Sequence, residues 1–530
     1  MAPLARSVAF AHAHPRGCAL VLGALAALGF RPLALWPLTL LAITGLIELT
    51  ARAGTARRAA LIGWLFGLGL FTVGNFWIAT AFTYQANMPA WLGAIAVVLL
   101  SLYLALFPML AALAAWRLAR RAPLALALAF AGCWIVAEWL RAWLFTGFAW
   151  NPLGVVLLGD FGSPGWAWLA PWSGTYGLSG LVVLLAGSVR TLALAQHRRR
   201  AALIGAAGAA AIALGMVLPH PAPDAPGTLP FTLVQPDVRQ EDLNDPRQWE
   251  SQFIKTARLS LAKPVQAGAP RLVLWPESGV PDYLRPGYPR YLYEETTFAA
   301  DPLLARRRIG RVIGADGLLL TGAVDLEVRG QEAVAARNVI TAIDGAGAIR
   351  GSYAKAHLVP YGEYLPLRWL LEPLGASRLV AGSLDFWPGP GPRTVDLGRW
   401  GKAGMQICYE IVFSGEVVDR RHRPDYLFNP SNDGWFGSWG PPQHLAQARL
   451  RAVEEGLPVL RATTTGISAV IDADGVVRQH VPRHTAARLD GTIPPAHAPT
   501  LFARMGNALP LVWAAFLLVL SLVALRRGRH

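Results

Sequence analysis

Seven apolar runs fill the first 220 residues, near 17–30, 34–50, 59–82, 89–116, 123–145, 166–189 and 201–218, and an eighth covers 508–525. A bilayer core of about 30 Å takes about 20 apolar residues in a helix. The pattern therefore predicts eight membrane-spanning helices, the first of them the shortest. The run from Gly17 passes into the second run without a small-residue cleavage pattern followed by polar sequence. A retained first span is expected rather than a cleaved signal peptide. Over 228–500 the pattern changes. Short apolar stretches at 229–235, 271–275, 318–323 and 339–343 read as strands, 244–263 as an amphipathic helix, and the stretches near 298–308 and 441–456 as helices. Asp344-Gly345 and Asp474-Gly475 lie between apolar stretches and read as hairpin turns. Strands alternating with helices predict an α/β domain with both faces of its sheets covered. The expected organisation is a membrane domain over 1–220, a second domain over 221–505, and a last span with a basic tail over 506–530. A linker with five prolines, 219–230, joins the first two.

Composition agrees with this pattern, since 54% of the 530 residues are hydrophobic and 15% are charged. Such values exclude a disordered or collagenous chain, and three cysteines exclude a disulfide scaffold. A net charge of +15 would ordinarily raise nucleic acid as a partner. The arginines, however, flank the spans. Arg6 and Arg16 precede the first; Arg52, Arg57 and Arg58 follow the second; Arg117, Arg120 and Arg121 follow the fourth. Arg190, Arg198, Arg199 and Arg200 follow the sixth, and Arg526, Arg527 and Arg529 the eighth, while loops such as 83–88 are nearly free of basic residues. Basic residues mark the cytoplasmic side, so every even-numbered exit is expected there and 219–505 on the opposite side. Topology and anionic lipid account for the charge, and no nucleic-acid partner is expected. Glu138 and Arg141, inside the fifth run, are costly in a bilayer and are expected to pair with each other or to lie near the headgroups.

Three short segments carry candidate chemistry, each with an ionisable residue at a strand end. In Leu274-Trp275-Pro276-Glu277-Ser278 the proline stops the strand and turns Glu277 outward. Tyr353-Ala354-Lys355 is followed by Leu358-Val359-Pro360-Tyr361-Gly362-Glu363-Tyr364. Gln406-Ile407-Cys408-Tyr409-Glu410 ends an apolar strand ahead of an expected helix. A lone cysteine is ordinarily a small buried hydrophobe, the reading that suits Cys18 and Cys133. Cys408 reads equally as a nucleophile if its proton can leave. Lys355 is one of four lysines among 48 basic residues. Its retention suits a compact ammonium set against an oxyanion or a carboxylate, a task for which a guanidinium is too large. Taken singly, Lys355, Glu277 and Glu363 read as surface charges as readily as functional ones, and Trp275 reads first as a packing residue. His357 and His444 have no partner at ligand spacing, so no metal site is expected.

These three segments, followed by Asn429-Pro430-Ser431-Asn432-Asp433-Gly434-Trp435-Phe436-Gly437, resemble the nitrilase (carbon–nitrogen hydrolase) superfamily. With seven spans before them and one after, the whole chain resembles the bacterial apolipoprotein N-acyltransferase family. Pro441-Pro442-Gln443-His444 and Ala448-Arg449-Leu450-Arg451-Ala452 resemble that family's next segment. The resemblance implies a membrane domain of eight helices carrying an extracytoplasmic α-β-β-α sandwich. It implies a triad of Glu277, Lys355 and Cys408, with Glu363, Tyr409 and Glu410 supporting it or orienting substrate. Candidate lipid contacts are Trp275, Phe148, Trp150, Trp435, Phe436 and Trp439, the aromatics of 145–153 and 435–439 being possible gates. The implied reaction moves an acyl chain from a phospholipid, through a thioester on Cys408, to the α-amine of a diacylglyceryl-cysteine apolipoprotein. No cofactor is implied. The expected setting is a monomer in the inner membrane of a bacterium, with the catalytic domain facing the periplasm. One departure is that 240–245, where the family often has a tryptophan, contains no aromatic residue. Two other readings stand beside this one. A membrane-tethered nitrilase-type amidase would use the same residues on a small substrate, but a tether needs only one span. A transporter with an outer domain would show paired charges along several spans, whereas only Glu138 and Arg141 lie convincingly within one.

Overall fold

The computed structural model describes residues 13–84, 89–195, 197–220, 227–261, 268–371, 373 and 384–527. Arg6, Arg529, Lys263, the last four residues of the 83–88 loop and 221–226 of the proline-rich linker lie outside the described residues.

A helix occupies each apolar run. These are α1 (Pro15–Ala27), α2 (Trp36–Ala51), α3 (Ala56–Gly74), α4 (Trp91–Leu104), α5 (Leu106–Ala119), α6 (Pro123–Trp143), α7 (Ala170–Ala193), α8 (Arg198–Val217) and, far along the chain, α12 (Ala508–Arg527). Among the described residues, six helical segments are long and apolar enough to cross a bilayer, with α4 and α5 counted as one; α1 and α2, of 13 and 16 residues, are shorter apolar helices. The fourth run breaks at Ala105 because Pro108, lacking an N–H, leaves the Leu104 carbonyl without its helical donor. The third run does not continue as one helix to its end. After α3 the chain tightens into a 3₁₀ turn, Phe76–Tyr84, which carries three aromatic side chains towards the second domain. At the opposite end of the bundle Arg190 of α7 meets Glu48 of α2 at 2.8 Å, and Arg52 shares that carboxylate.

The second domain stacks two six-stranded sheets. The first runs β12-β1-β2-β3-β4-β5, with β1 (Pro230–Gln235), β2 (Arg271–Leu274), β3 (Gly317–Arg329), β4 (Glu332–Asp344), β5 (Ile349–Ala354) and β12 (Ala487–Thr492). The second runs β11-β10-β9-β8-β7-β6, with β6 (Thr394–Asp396), β7 (Lys402–Met405), β8 (Tyr426–Ser431), β9 (Val459–Thr463), β10 (Ser468–Ile471) and β11 (Val477–Val481). Each sheet has a parallel centre, β1-β2-β3 and β7-β8-β9, flanked by antiparallel strands. Alternate residues of both sheets, among them Leu233, Leu272, Leu320, Met405, Phe428 and Leu460, form the core between them. The other face of the first sheet is covered by α9 (Trp249–Ser260) and α10 (Pro302–Ile313) through Phe253, Ile309 and Ile313. Asp301 caps α10 by accepting from the N–H groups of Leu303 and Leu304, with Pro302 at the first helical position. The other face of the second sheet is covered by α11 (Gly440–Glu455), whose far side packs on the membrane half.

This is the expected α-β-β-α sandwich, with hairpins at Asp344-Gly345 and Asp474-Gly475. The strands expected at 318–323 and 339–343 are halves of a longer hairpin. Beyond Ala323 polar residues interrupt the apolar alternation, but they pair off, Arg337 with Glu327 at 2.5 Å and Arg285 with Asp325 at 2.6 Å. The amphipathic helix begins only at Trp249, five residues later than the pattern predicts, because Asp245 and Pro246 start a separate turn.

Candidate active site

Glu277 is the third residue after β2, and its loop crosses β3 at Gly322. A Cβ on Gly322 would lie 2.6 Å from the Ser278 nitrogen and 2.7 Å from the Glu277 Cα, so only glycine lets the two backbones approach this closely. The Glu277 carboxylate is buried, at 7% exposure. It accepts from Asn338 Nδ2 at 2.7 Å and from the Asn432 backbone N–H at 2.8 Å. Trp275 does not join it. The strand alternates its side chains, so Trp275 points to the helical face, fully buried against Phe253, with its indole N–H donating to Ser260 Oγ at 2.7 Å. The expectation of a lipid contact at Trp275 is overturned by that direction.

Lys355 follows β5 directly and is 1% exposed. Its Nζ lies 3.8 Å from Glu277 Oε1 and 2.9 Å from Glu363 Oε2. Asn338, on β4, donates from one Nδ2 to both carboxylates, at 2.7 Å to Glu277 and 3.1 Å to Glu363. Glu363 is fixed in turn by the Val359 N–H at 2.8 Å. Burial alone would lower the Lys355 ammonium; Glu363, then Glu277 and Cys408, outweigh it and hold the group above the usual lysine range. One cation thus balances two buried carboxylates.

Cys408 opens a five-residue 3₁₀ turn, Cys408–Val412, where an α-helix was expected. Its φ of +50° is a left-handed conformation that a non-glycine residue holds only under constraint. Two groups supply the constraint. Glu410, buried, accepts from Tyr353 Oη (2.8 Å) and from the backbone N–H groups of Ala356 (2.7 Å), His357 (3.1 Å) and Ile407 (2.8 Å). It therefore ties the Cys408 turn to the Lys355 segment, and burial pushes its carboxyl up to about 7 against those bonds. On the other side the Cys408 carbonyl accepts from His444 Nε2 at 3.0 Å and from Asn429 Nδ2 at 3.4 Å. Behind them Arg461 holds Asp433 at 2.7 Å, which keeps that carboxyl well below the usual range despite its burial. Burial, then Glu277, raises the Cys408 thiol well above the usual range, while Lys355 pulls it down. Cys408 therefore rests as a neutral thiol in the same buried cluster as the Glu277 carboxylate and the Lys355 ammonium.

The remaining aromatic candidates form a seam with the membrane half. Trp150, 1% exposed, stacks on Tyr409 and packs on Trp77 and Phe436, while its indole N–H donates to Gln443 Oε1 at 2.8 Å. It is a wall of the site rather than an accessible lipid contact. Trp435 packs on Tyr84, and Trp439 on Phe76, all from the 3₁₀ turn after α3. Phe148 is half-buried against the same core. His357 stacks on Phe413 with its Nε2 3.2 Å from the Thr146 carbonyl, and burial lowers it to about 4. Glu138 and Arg141 do not form the expected pair. Glu138 Oε1 accepts from the Leu153 N–H at 2.8 Å, and Arg141 Nη1 donates to the Trp150 carbonyl at 2.8 Å. Backbone of a non-helical loop in apolar surroundings needs such partners. In 240–245, Gln240 is buried and accepts from Asn432 Nδ2 at 2.8 Å. Sequence reasoning gave no place to Asn338 or to the three aromatics after α3, and it met Gln443 and His444 within a family-like segment without assigning them a part in the site.

Residues 22–188 match the model of the apolipoprotein N-acyltransferase N-terminal domain, and 233–497 match that of carbon-nitrogen hydrolase. The chain is 36% identical to the apolipoprotein N-acyltransferase of Bradyrhizobium diazoefficiens, over 96% of this chain and 94% of that one. It is 33% identical to that of Rhodopseudomonas palustris, over 96% and 94%, and 36% identical to that of Azotobacter vinelandii, over 94% and 93%. Among solved structures, an amidase of the nitrilase superfamily from Nesterenkonia is similar at 18% identity and a TM-score of 0.35, covering 52% of this chain and 94% of that one. A nitrilase-superfamily member from Saccharomyces cerevisiae gives 18%, 0.35, 52% and 93%. With relatives matching both halves in a single alignment, and a Glu-Lys-Cys cluster at their seam, the chain belongs to the apolipoprotein N-acyltransferase family.

Proposed function

We propose that this chain N-acylates apolipoproteins by two half-reactions on Cys408, with a membrane phospholipid as donor. The observation that carries this reading is the buried Glu277–Lys355–Cys408 cluster, with Lys355 Nζ 3.8 Å from Glu277. Glu277 takes the thiol proton as sulfur attacks the ester carbonyl, which suits a thiol that rests neutral. Lys355 and the Tyr409 N–H stabilise the tetrahedral oxyanion; one such donor is worth about 2.7–4 kcal/mol of barrier. Glu277 returns the proton to the departing lysophospholipid oxygen, leaving an acyl thioester. The α-amine of a diacylglyceryl-cysteine apolipoprotein then gives a proton to Glu277 and attacks the thioester. An amide forms, and the sulfur leaves to regain the proton. Glu363 orients Lys355, and Glu410 holds the Cys408 turn. The cluster is closed from solvent, as a thioester meant for an amine requires.

In this reading the chain has eight spans, with 1–220 as membrane domain, 221–505 as catalytic domain and 506–530 as last span and tail. It acts as a monomer in the bacterial inner membrane with the catalytic domain on the periplasmic side. Support comes from charge and geometry: Arg190, Glu48 and Arg52 cluster at one end of the bundle, and Thr175, at the other end of α7, binds Glu454 of the catalytic domain at 2.5 Å.

The test is the intact mass of the detergent-purified protein after incubation with a defined phospholipid. The expected result is a gain of one acyl chain, released by neutral hydroxylamine, passed to a diacylglyceryl lipopeptide and absent in Cys408→Ser. An acyl-enzyme decaying only to free fatty acid would show a hydrolase instead. Normal lipopeptide modification by Cys408→Ser would overturn Cys408 as nucleophile.

A further inference from the structure

The Cys408 carbonyl and the Tyr409 N–H belong to one trans peptide unit. That unit is planar, so its C=O and N–H point in opposite directions, and whatever aims one aims the other. His444 Nε2 donates to this carbonyl at 3.0 Å and Asn429 Nδ2 at 3.4 Å, both from fully buried side chains. The Tyr409 N–H precedes the first bond of its turn, which Glu410 N makes to the Ile407 carbonyl at 3.1 Å, so it is one of the donors a helical start leaves unpaired. A hydrogen bond accepted at the C=O also polarises the N–H of the same peptide.

We infer that His444 is a positioning residue of the oxyanion hole: by gripping the Cys408 carbonyl it aims and polarises the Tyr409 N–H on the far side of that peptide. The arrangement explains why a histidine is buried beside Cys408 with both ring nitrogens committed, Nε2 to the Cys408 carbonyl and Nδ1 to Asp433 and Arg461. His444 Nδ1 lies 3.1 Å from both Asp433 Oδ1 and Arg461 Nη2, and because a carbonyl oxygen only accepts, it is Nε2 that carries the N–H serving Cys408. It also explains what holds His444 in place. Its neighbour Gln443 accepts from Trp150 Nε1 at 2.8 Å and from Asn151 Nδ2 at 2.9 Å, so the membrane half fixes the helix end that carries the histidine. Asn429, the second donor, is held by Arg461 on its amide oxygen. The inference rests on the thioester reading above.

The test uses the full chain in detergent, as wild type, His444→Asn and His444→Gln. Glutamine carries an N–H about where Nε2 stands, and asparagine stops about where Nδ1 stands. Two rates are read on each protein: acyl gain from saturating phospholipid without acceptor, and alkylation of Cys408 by iodoacetamide, located by peptide mapping. Alkylation displaces iodide at a saturated carbon and forms no oxyanion. Removing an oxyanion donor costs about 10²–10³-fold; misaiming one is expected to cost roughly 10–100-fold. His444→Asn should therefore lose that much acyl gain at an unchanged half-saturating phospholipid concentration, with alkylation within about twofold of wild type. His444→Gln should keep both rates within about threefold. The inference is overturned if both rates fall together in His444→Asn, which would mean the thiol itself has moved, or if neither falls. Should His444→Asn not fold, His444→Gln decides: a tenfold loss of acyl gain at normal alkylation overturns it. A wild type that gains no acyl chain refutes the thioester reading rather than this one.

Discussion

Lys355→Met removes the one cation between two buried carboxylates. Lys355 Nζ lies 3.8 Å from Glu277 and 2.9 Å from Glu363. At an effective dielectric near 20, the longer contact alone corresponds to roughly 4 kcal/mol of attraction. Taking the cation away withdraws that attraction and leaves two buried carboxylates facing each other. Loss of the ammonium from the oxyanion adds its own factor of about 10²–10³. The assay is the single-turnover rate of acyl gain by intact mass, from pH 5 to 9. The expected outcome is a loss of at least about 10³-fold near neutrality, with partial recovery at high pH, where an unbalanced carboxylate pair is most readily ionised. A loss of about 10²-fold, the same at every pH, would refute the charge-balance argument and leave Lys355 as an oxyanion donor alone.

Gly322→Ala drives a Cβ to 2.6–2.9 Å from backbone atoms of the Pro276–Ser278 turn. Acyl gain should fall at least tenfold, with about 1–3 kcal/mol lost in thermal unfolding; unchanged kinetics would mean the Glu277 loop tolerates a shift. Arg451 and Glu454 form a fully buried pair at 2.7 Å that also holds Thr175 of α7. Glu454→Gln should cost about 3–5 kcal/mol, and the double change Arg451→Met with Glu454→Leu less than that single one; a double variant worse than either single would refute the ion-pair account. His497 is held above the usual histidine range by Asp474 at 2.9 Å. Its contribution is therefore complete below the unfolded value near 6.5 and fades as pH climbs through the raised folded value. His497→Gln should flatten the fall of melting temperature across that window, and an unaltered pH profile would remove the interaction from the account.

The hydrophobic pattern was enough to place a helix in every apolar run and to predict an α/β domain with covered sheets, because burial of apolar faces sets both. It was weakest where backbone rather than side chains decided the outcome. The helix expected after Cys408 is a short 3₁₀ turn because Glu410 draws the Ile407 N–H to its side chain and the Cys408 carbonyl is taken by His444. Trp275, read first as a packing residue, is one: a strand period gives a side chain two faces, and only tertiary packing assigns this one to the helices. The segments carrying Glu277, Lys355 and Cys408 were legible as motifs, whereas the groups that hold them were not. Asn338, His444 and Gln443 gain meaning only from partners 25 to 293 residues away. Glu138 and Arg141 misled in an instructive way: the charges are inside the bundle as read, but they serve the backbone of a loop.

The helix α11 argues most directly against the membrane half being a mere tether. A helix that is polar yet buried on nearly every side is unusual, because such helices normally keep one face in water. Here the polar residues face the other half. Arg449 donates to the carbonyls of Gly159, Asp160 and Ser163 at 2.8–2.9 Å, and burial lowers its guanidinium to about 9. Arg451 and Glu454 reach Thr175, whose N–H is free to donate because Gly174, at φ +67°, breaks the helix just before it. An alanine at 174 would also place its Cβ 2.6 Å from the Phe502 ring. From the same helix His444 grips the Cys408 carbonyl. Pulling the halves apart would take from Arg449 its three carbonyl acceptors in the other half and from the Arg451–Glu454 pair its contacts to Thr175, each buried group left unsatisfied costing about 1–3 kcal/mol. The geometry at Cys408 and the attachment to the membrane half are therefore one structural problem, solved by one helix. A soluble amidase with the same triad would have no use for the charges on its outer side.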